Sequence, residues 1–349
     1  MNELRAILSD SITRLLTDEV TVDVRRAAED GDWPSALWTK LEENGHPRVL
    51  VPEDQGGVGG GWLDAHTVIQ AAGRFAAPVP IAETILAGRL LADAALDVPD
   101  GPITIAPVRP DEVLAISRTG NSFSLSGTVS RVPWGAAAGH LAVQAEADGK
   151  PHIALVAQGH AEVRADRNIA REPRDTLTFE EAPVIAAAPA ADRNGLWRRG
   201  AMIRAAQIAG ALDAVLDQSV QYANDRTQFG RPIGKFQAVQ QQLAILAGQT
   251  AAVGAAAEAA FGKAETGDAE FEIMVAKTRA SEAAEAAASI AHQTHGAIGF
   301  TYEHTLHYAT RRLWSWRAEF GTASHWAERL GRLVAGRGAD ALWPMVVAR

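Results

Sequence analysis

The sequence predicts a multidomain α+β protein with a helical N-terminal domain, a middle β-barrel or sandwich, and a C-terminal helical bundle. Three observations support this fold class. At 349 residues the chain is too long for one small core. Apolar residues recur at helical spacing towards both ends, whereas short alternating runs fill the middle. We therefore expect domains over residues 1–98, 99–192 and 193–349.

The N-terminal part is predicted to consist of helices joined by loops. Further helices are predicted over Leu63–Phe75 and Ile81–Ala95, with Ala77–Pro80 as the break between them. The glycine-dense stretch from Val51 to Gly60 is read as a connecting loop, because no Lys-Ser/Thr follows it as in a phosphate-binding loop. The first helix is indicated by an apolar stripe that comprises Leu4, Ile7, Leu8, Ile12 and Leu15.

The middle part consists of seven short runs with strand character. Turns such as Asp148-Gly149-Lys150 separate them, which is typical of an all-β domain. The runs are ITIAPV, EVLAISR, SFSLSGTVSRV, HLAVQAEA, HIALVAQ, AEVRADR and DTLTFEEAPV.

The C-terminal part is organised around the stretch Ile208–Leu243. A helical stripe is predicted to break at Gly230–Pro232 and a second helix to begin near Phe236. A guanidinium, an aromatic ring and amides at this junction suit a phosphorylated, planar ligand. An αα-hairpin with a polar corner explains the same residues. The junction residues are Arg226, Gln228, Phe229 and, one turn on, Gln237.

Composition excludes several functions. The net charge is −9 and no basic stripe follows a phosphate backbone, so we expect no nucleic-acid partner. The chain has no cysteine, and His292 and His295 lack an acidic third ligand at metal-site spacing, so we expect no metal. The N-terminus lacks the apolar core of a signal peptide and no apolar run reaches membrane-spanning length. A cytoplasmic protein without membrane contact is the expectation.

The stretch YANDRTQFGRPIGKFQAVQQQLA resembles the signature that opens the C-terminal domain of acyl-CoA dehydrogenases. The order helical, β, helical resembles the same family, as does the loop from Val51 to Gly60. The resemblance implies a four-helix bundle at the C-terminus, FAD as cofactor, an acyl-CoA substrate and an electron-transfer acceptor. It also implies that Arg226, Gln228, Phe229 and Gln237 contact the ADP half of an FAD held mainly by a neighbouring subunit.

Two further segments resemble flavin-contacting parts of the family. Gln293-Thr294-His295-Gly296-Ala297-Ile298-Gly299-Phe300 is similar to a turn whose Gln and backbone meet the partner's adenine and pyrophosphate, which implies Gln293, Gly296 and Ala297. A helix C-cap explains Gly296 equally well. Gly321-Thr322 resembles the Gly-Thr that follows the usual catalytic base and contacts the flavin.

The catalytic base of the family is not matched. Its usual position falls on Phe320, and the alternative position used by some members falls on Gly200. Glu319 lies one residue earlier, which turns a helical side chain by about 100°. Glu319 is therefore either a base on a rearranged loop or a solvated or ion-paired surface residue.

The segments that normally shield the flavin ring also depart from the family. Their places correspond to Thr104–Pro110 and Ser130–Gly135. Pro133 stands where a threonine hydroxyl would face the flavin, and proline has neither a hydroxyl nor an N–H group to offer. Trp134 is displaced from the shielding position, and a buried core position is expected for it.

Two groups of arginines are further candidates. Arg198 and Arg199 lie where the family contacts substrate, so a CoA contact is expected there. A second group either meets CoA phosphates or forms a subunit interface. Its members are Arg311, Arg312, Trp314, Trp316 and Arg317.

The residues that match the family are those with which a subunit contacts the FAD of its neighbour. The residues that do not match are those with which a subunit contacts the FAD that it holds itself. This pattern resembles the short subunits of α2β2 acyl-CoA dehydrogenases of actinobacterial steroid side-chain degradation. The leading hypothesis is therefore one subunit of a hetero-oligomer whose longer partner carries the base, with a steroid-type acyl-CoA as hypothetical substrate. The alternatives are a homo-oligomeric enzyme that uses Glu319 and a non-catalytic structural subunit.

Overall fold

The computed structural model describes residues 3–120 and 122–347 and confirms the predicted fold class. Helices give way to strands between Asp93 and Ile103, and strands to helices between Pro189 and Gly195. The helices of the first part are α1 (Glu3–Glu19), α2 (Val22–Asp30), α3 (Ser35–Glu43), α4 (Trp62–Arg74) and α5 (Ile81–Asp93).

Local signals set the ends of these helices. The Thr21 hydroxyl caps α2 by accepting a hydrogen bond from the Val24 N–H at 3.2 Å. Gly31 ends the helix with a φ of 115°, in the left-handed region that favours glycine. The predicted break at residues 77–80 separates α4 from α5. Helix α5 is buried over nearly its whole length, so it carries its polar side chains into the interior.

The middle part is a closed β-barrel. The order β1-β4-β2-β3-β7-β5, with a further β4–β5 pairing, closes a ring of five strands, while β1 pairs with β4 and β6 pairs with β7. Strand β3 is irregular between Val129 and Val132, and Arg131 within the bulge has a φ of 58°. The strands are β1 (Ile103–Ala106), β2 (Ala115–Thr119), β3 (Ser122–Pro133), β4 (His140–Ala147), β5 (Lys150–Ala157), β6 (Glu162–Arg164) and β7 (Arg174–Pro189).

Long helices form the C-terminal part and pack closely against the N-terminal helices. Where α6 crosses α4, a Cβ added to Gly210 would lie 1.9 Å from the Gln70 carbonyl oxygen, and one added to Gly73 would lie 2.1 Å from the Gln207 oxygen. Only glycine permits this approach. The helices are α6 (Gly195–Asp225), α7 (Gln237–Ala264), α8 (Glu270–His295), α9 (Leu306–Trp316), α10 (Ala323–Arg337) and α11 (Leu342–Val347).

The junction between α6 and α7 is a small β-hairpin rather than a plain helical corner. Helix α6 ends at Asp225, five residues before the predicted break at Gly230, and β8 (Thr227–Gln228) pairs with β9 (Arg231–Pro232). Phe229 and Gly230 form the turn with φ values of 52° and 78°. Positive φ at both central residues is the geometry of tight hairpin turns, so the turn fixes the direction of the Phe229 side chain.

Helix α7 leaves much of its apolar surface outside the chain. Among the described residues it alone is long and apolar enough to cross a membrane by length and composition, and only 28% of that window is buried. This departs from the expectation that no apolar run reaches such a length, although one such helix is weak evidence of a membrane span. The exposed residues of one face include Ala238, Ile245, Gly248, Ala252 and Ala255.

Candidate functional site

The junction residues predicted to contact FAD lie on the surface of the chain. Phe229 is 91% exposed, and its ring meets only Phe236 edge-on, at 6.1 Å between centroids. The side chains of Arg226, Gln228 and Gln237 are exposed as well. Apart from the contact with Phe236, the face of the ring is therefore available to a ligand or to a partner chain.

The turn after α8 lies beside this junction. Residues Gly296–Phe300 form a 3₁₀ turn in which Gly296 and Ala297 are exposed, and Gln293 in the last turn of α8 is exposed as well. The His295 ring stacks on Tyr222 of α6 at 4.5 Å and 26°, which ties the turn to the helix that leads into the hairpin. Gly296 has a φ of 63° and nothing near its absent Cβ, so conformation rather than space requires glycine there. The sequence did not reveal the contact between Tyr222 and His295.

The segments that would face a flavin held by the chain itself line a different cavity. Its volume is about 390 Å³, and its walls include Val108–Asp111, Arg131, and Gly321-Thr322. Trp197, Glu319, Phe320 and His325 also line it. Three segments that are distant in sequence and correspond in position to flavin-contacting regions of the family thus meet at one place.

Pro133 and Trp134, where the sequence departs from the family, are not among the residues that line this cavity. The Thr104 hydroxyl donates a hydrogen bond to the Pro133 carbonyl, so the one polar backbone atom of Pro133 is already engaged. Trp134 is 7% exposed and packs edge-on against Trp33 at 6.2 Å. It is a core residue, as expected, and offers no shield to a flavin ring.

The two positions where the family carries its base face each other and contain no carboxylate. Phe320 is 2% exposed, and a Cβ built on Gly200 would lie 2.2 Å from its ring. The ring therefore occupies the space into which a side chain at Gly200 would project. Position 321 next to this contact requires glycine for two reasons. Its φ is 99°, and a Cβ there would lie 2.5 Å from Trp326 Nε1.

Glu319 is not a surface residue, in contrast to the solvated alternative, but a buried ion-paired one. Arg174 Nε and Arg204 Nε each donate to its carboxylate at 2.7 Å. Burial alone would raise the pKa of Glu319, but the two guanidiniums lower it to about 2. A carboxylate with so low a pKa and two arginine partners is a weak proton acceptor near neutral pH.

The ion pairs of Glu319 belong to a larger buried network that sequence reasoning missed. Arg204 also donates to Glu83 of α5 at 2.5 Å, and Arg174 to Glu172 at 2.9 Å. Glu172 in turn accepts from Arg312 at 3.1 Å. The network joins α5, α6, the barrel and α9, so it fixes the three parts of the fold around the cavity. We name it the Glu319 network.

Lys277 of α8 is buried next to this network. Its ammonium donates to the carbonyl oxygens of Trp316 and Arg317 at 3.2 and 2.8 Å and to Ser281 Oγ at 3.0 Å. Burial, with Arg204 and Arg317 nearby, lowers the pKa of Lys277 to about 7, although Glu319 opposes the shift. The structure pairs this cation with carbonyl dipoles rather than with a carboxylate.

Lys277 should make folding stability depend on pH. Between its folded pKa of about 7 and its unfolded value near 10.5, the unfolded chain binds the extra proton, so stability should rise with pH. The slope is at most about 1.4 kcal/mol per pH unit. Denaturant unfolding between about pH 7 and 9 should show this rise in the wild type and a flatter profile in Lys277→Met. Equal slopes in the two proteins would assign the rise to other groups.

The predicted arginine sites are not part of the 390 Å³ cavity beside Phe320. Arg198 and Arg199 line a separate cavity between α5, α6 and the α7–α8 loop. Arg312 and Trp316 both bind the buried Glu172, and Arg311 binds Glu29, so the second group does not form one CoA site. Of the predicted catalytic and substrate residues, Glu319 is the one that contributes to the wall of the 390 Å³ cavity. Within residues 3–120 and 122–347 no group of three potential metal ligands occurs.

Comparison with known proteins identifies the family. Models of the acyl-CoA dehydrogenase N-terminal and C-terminal domains match residues 2–95 and 197–332. The acyl-CoA dehydrogenase IpdE2 of Mycolicibacterium smegmatis is 31% identical over 312 residues, covering 88% of this chain and 91% of that protein.

Two solved structures have the same fold. A chain of the ChsE4–ChsE5 complex from Mycobacterium tuberculosis superposes with a TM-score of 0.89 at 26% identity, covering 96% of this chain and 98% of that one. A chain of the Tcur3481–Tcur3483 steroid ACAD, in its G363A variant, gives 0.88 at 27% identity with the same coverage. With the curated relative aligned over most of both chains, this protein belongs to the acyl-CoA dehydrogenase family.

Proposed function

We propose that this chain is one subunit of an FAD-dependent acyl-CoA dehydrogenase and lends FAD-binding residues to a partner that carries the catalytic base. One observation carries the proposal. The residues that would contact the partner's FAD are exposed, whereas at the two positions expected for a base the ring of Phe320 fills the space beside Gly200. The reaction is α,β-dehydrogenation of an acyl-CoA thioester.

The exposed residues suit the ADP half of FAD. Arg226 offers a planar fork of N–H donors to phosphate, and Phe229 offers a fixed aromatic face. Gln228, Gln237 and Gln293 supply amide donors and acceptors, and the turn at Gly296-Ala297 supplies backbone N–H groups. Bound FAD would accept the hydride from the β-carbon of the substrate. The residues of this chain would position the cofactor rather than move a proton.

The chain's own cavity fits a flavin poorly. Arg131, which lines the cavity, lies in the β3 bulge with a φ of 58°, and Pro133, two residues later, has no donor that could face a flavin ring. A volume of about 390 Å³ is also at the lower end of small-molecule sites, and FAD is a large ligand. Gly321 and Thr322 line this cavity, and the Thr322 hydroxyl caps α10. We therefore assign both residues to the framework of this cavity.

A hetero-oligomer is the expected assembly. The exposed apolar face of α7 and the exposed junction at Phe229 are surfaces that a partner chain would cover. The similar structures ChsE4–ChsE5 and Tcur3481–Tcur3483 each contain two different chains, which supports a partner of the same family. Tcur3481–Tcur3483 is a steroid ACAD, which supports a steroid-type acyl-CoA as substrate. A complex that processes only short linear acyl-CoAs would contradict the steroid assignment.

Flavin stoichiometry tests the proposal. The chain should be purified alone and after co-expression with candidate partner subunits, and flavin absorbance per chain and dehydrogenation with an artificial acceptor should be measured. We expect flavin and turnover only in the complex, with one flavin for every two chains. Full flavin occupancy and turnover by the chain alone would contradict the proposal. A complex without flavin would instead identify a structural subunit.

A second candidate function is a homo-oligomeric enzyme that uses Glu319 as base, since Glu319 lines the cavity beside Phe320. Loss of a general base lowers turnover about 10²–10⁴-fold. We expect Glu319→Gln instead to leave turnover per bound flavin within a few-fold of the wild type, while the unfolding free energy falls by about 3 kcal/mol. Glu83→Gln, which removes another buried partner of Arg204, is the matched control and should behave alike. A turnover loss confined to Glu319→Gln would restore Glu319 as the base.

A further inference from the structure

A second cavity lies on the opposite face of α6 from the contact between Phe320 and Gly200. Its volume is about 540 Å³, within the usual range of small-molecule sites. Arg199 and Met202 line it from α6, and at about 100° per residue they point away from the side that carries Trp197 and Gly200. Its other walls come from the N-terminal helices, the barrel and the α7–α8 region, so all three parts of the fold contribute.

Arg199 presents hydrogen-bond donors to this cavity that the described part of the chain does not use. Its nearest carboxylate is Asp93 at 3.6 Å, and no hydrogen bond joins them. Asp93 already accepts from Arg89 at 2.8 Å. The Arg199 guanidinium lies over the Trp62 ring at 5.8 Å, which holds it in place without occupying its N–H groups. Burial lowers the pKa of Arg199, as expected for a cation whose charge is incompletely balanced.

The remaining walls define the chemistry of the ligand. Leu90, Ile153 and Ile273 are apolar side chains that would pack against an apolar body. Asp268 lines the same cavity, and with Asp93 it disfavours a ligand with several negative charges more strongly than a ligand with one. Arg198 adds no free charge, because it is paired with Asp192. The site thus offers one available cation, apolar walls and an acidic surround.

We propose that this cavity binds a hydrophobic monocarboxylate, with the carboxylate on Arg199 and the apolar body between Leu90 and Ile153. A guanidinium donates two parallel hydrogen bonds to a carboxylate, which fixes its orientation. The proposal differs from the CoA contact expected at Arg198 and Arg199, because CoA carries several phosphates. It does not depend on the proposed function, since α6 separates this cavity from the cavity beside Phe320.

Calorimetric titration of the full chain, alone and in its purified complex, tests the proposal. The probes are octanoate, its neutral amide octanamide, inorganic phosphate and coenzyme A. We expect saturable binding of one octanoate per chain, with octanamide weaker by roughly 10-fold or more because it lacks the charge. Arg199→Gln should reduce octanoate binding to the level of the amide, while Arg332→Gln, an exposed arginine on α10, should leave it unchanged.

Ala191→Trp supplies a second, independent variant. Ala191 is an exposed residue of the cavity wall, so an indole there should fill the cavity and abolish octanoate binding without removing the cation. Flavin content of the complex should be the same in all variants. The proposal is overturned if octanoate does not bind saturably, if acid and amide bind alike, or if Arg199→Gln and Ala191→Trp leave binding intact. Tighter binding of coenzyme A or phosphate than of octanoate would overturn the choice of ligand.

Discussion

Replacing Arg204 by methionine should lower the free energy of unfolding by about 3–5 kcal/mol, the cost of leaving a buried charge unpaired. Arg204 is fully buried and joins Glu83 to Glu319. Glu319 would keep Arg174, but Glu83 is 2% exposed and has no other ion-pair partner in the described part of the chain. Denaturant midpoints, followed by circular dichroism, give the measurement.

The matched control removes both charges. Because a buried ion pair gains little over apolar residues of similar volume, Arg204→Met with Glu83→Leu should recover most of the loss. Arg332→Met is the surface comparison. Because the Arg332–Glu328 pair is exposed, this change should leave the free energy of unfolding almost unchanged. If the double variant were no more stable than Arg204→Met, the loss would come from packing of the arginine stem rather than from the unpaired Glu83.

The ion pairs of the Glu319 network could not be predicted from the sequence. Glu319 lies 145 residues from Arg174 and 115 from Arg204 in sequence, and only the tertiary fold brings β7, α6 and the α9–α10 connection together. Periodicity reports which residues face inwards, not which ones meet. The sequence offers no carboxylate at Phe320 or Gly200, and it left Glu319 between a catalytic and a surface role.

Elements defined by local pattern were predictable to within a few residues. The seven alternating runs became the seven strands of the middle part, and the predicted break at Ala77–Pro80 separates α4 from α5. The hairpin at Phe229 was missed, because its turn needs positive φ at both central positions and phenylalanine is not a residue that signals it. The exposed face of α7 was also hidden, since an apolar helix has the same composition in a core and at an interface.

Replacing Arg226 by glutamine and Phe229 by alanine together should strip the complex of its flavin without unfolding this chain. A hydrogen bond from a charged group to phosphate contributes about 1.5–3 kcal/mol, and an aromatic contact adds to it. We therefore expect FAD affinity of the complex to fall by about 100-fold or more, and turnover to fall with it unless FAD is added in excess. The measurement is FAD titration of the purified complex, followed by flavin fluorescence.

The stability of the chain separates this effect from a structural one. Both side chains are exposed and lie in a two-stranded hairpin, so the unfolding midpoint of the isolated chain should remain that of the wild type. Phe229→Tyr keeps an aromatic face and should retain most of the affinity, while Arg332→Gln on α10 should retain all of it. Undiminished flavin in the Arg226→Gln, Phe229→Ala complex would mean that this junction does not hold the cofactor. The partner would then bind FAD without the help of these residues.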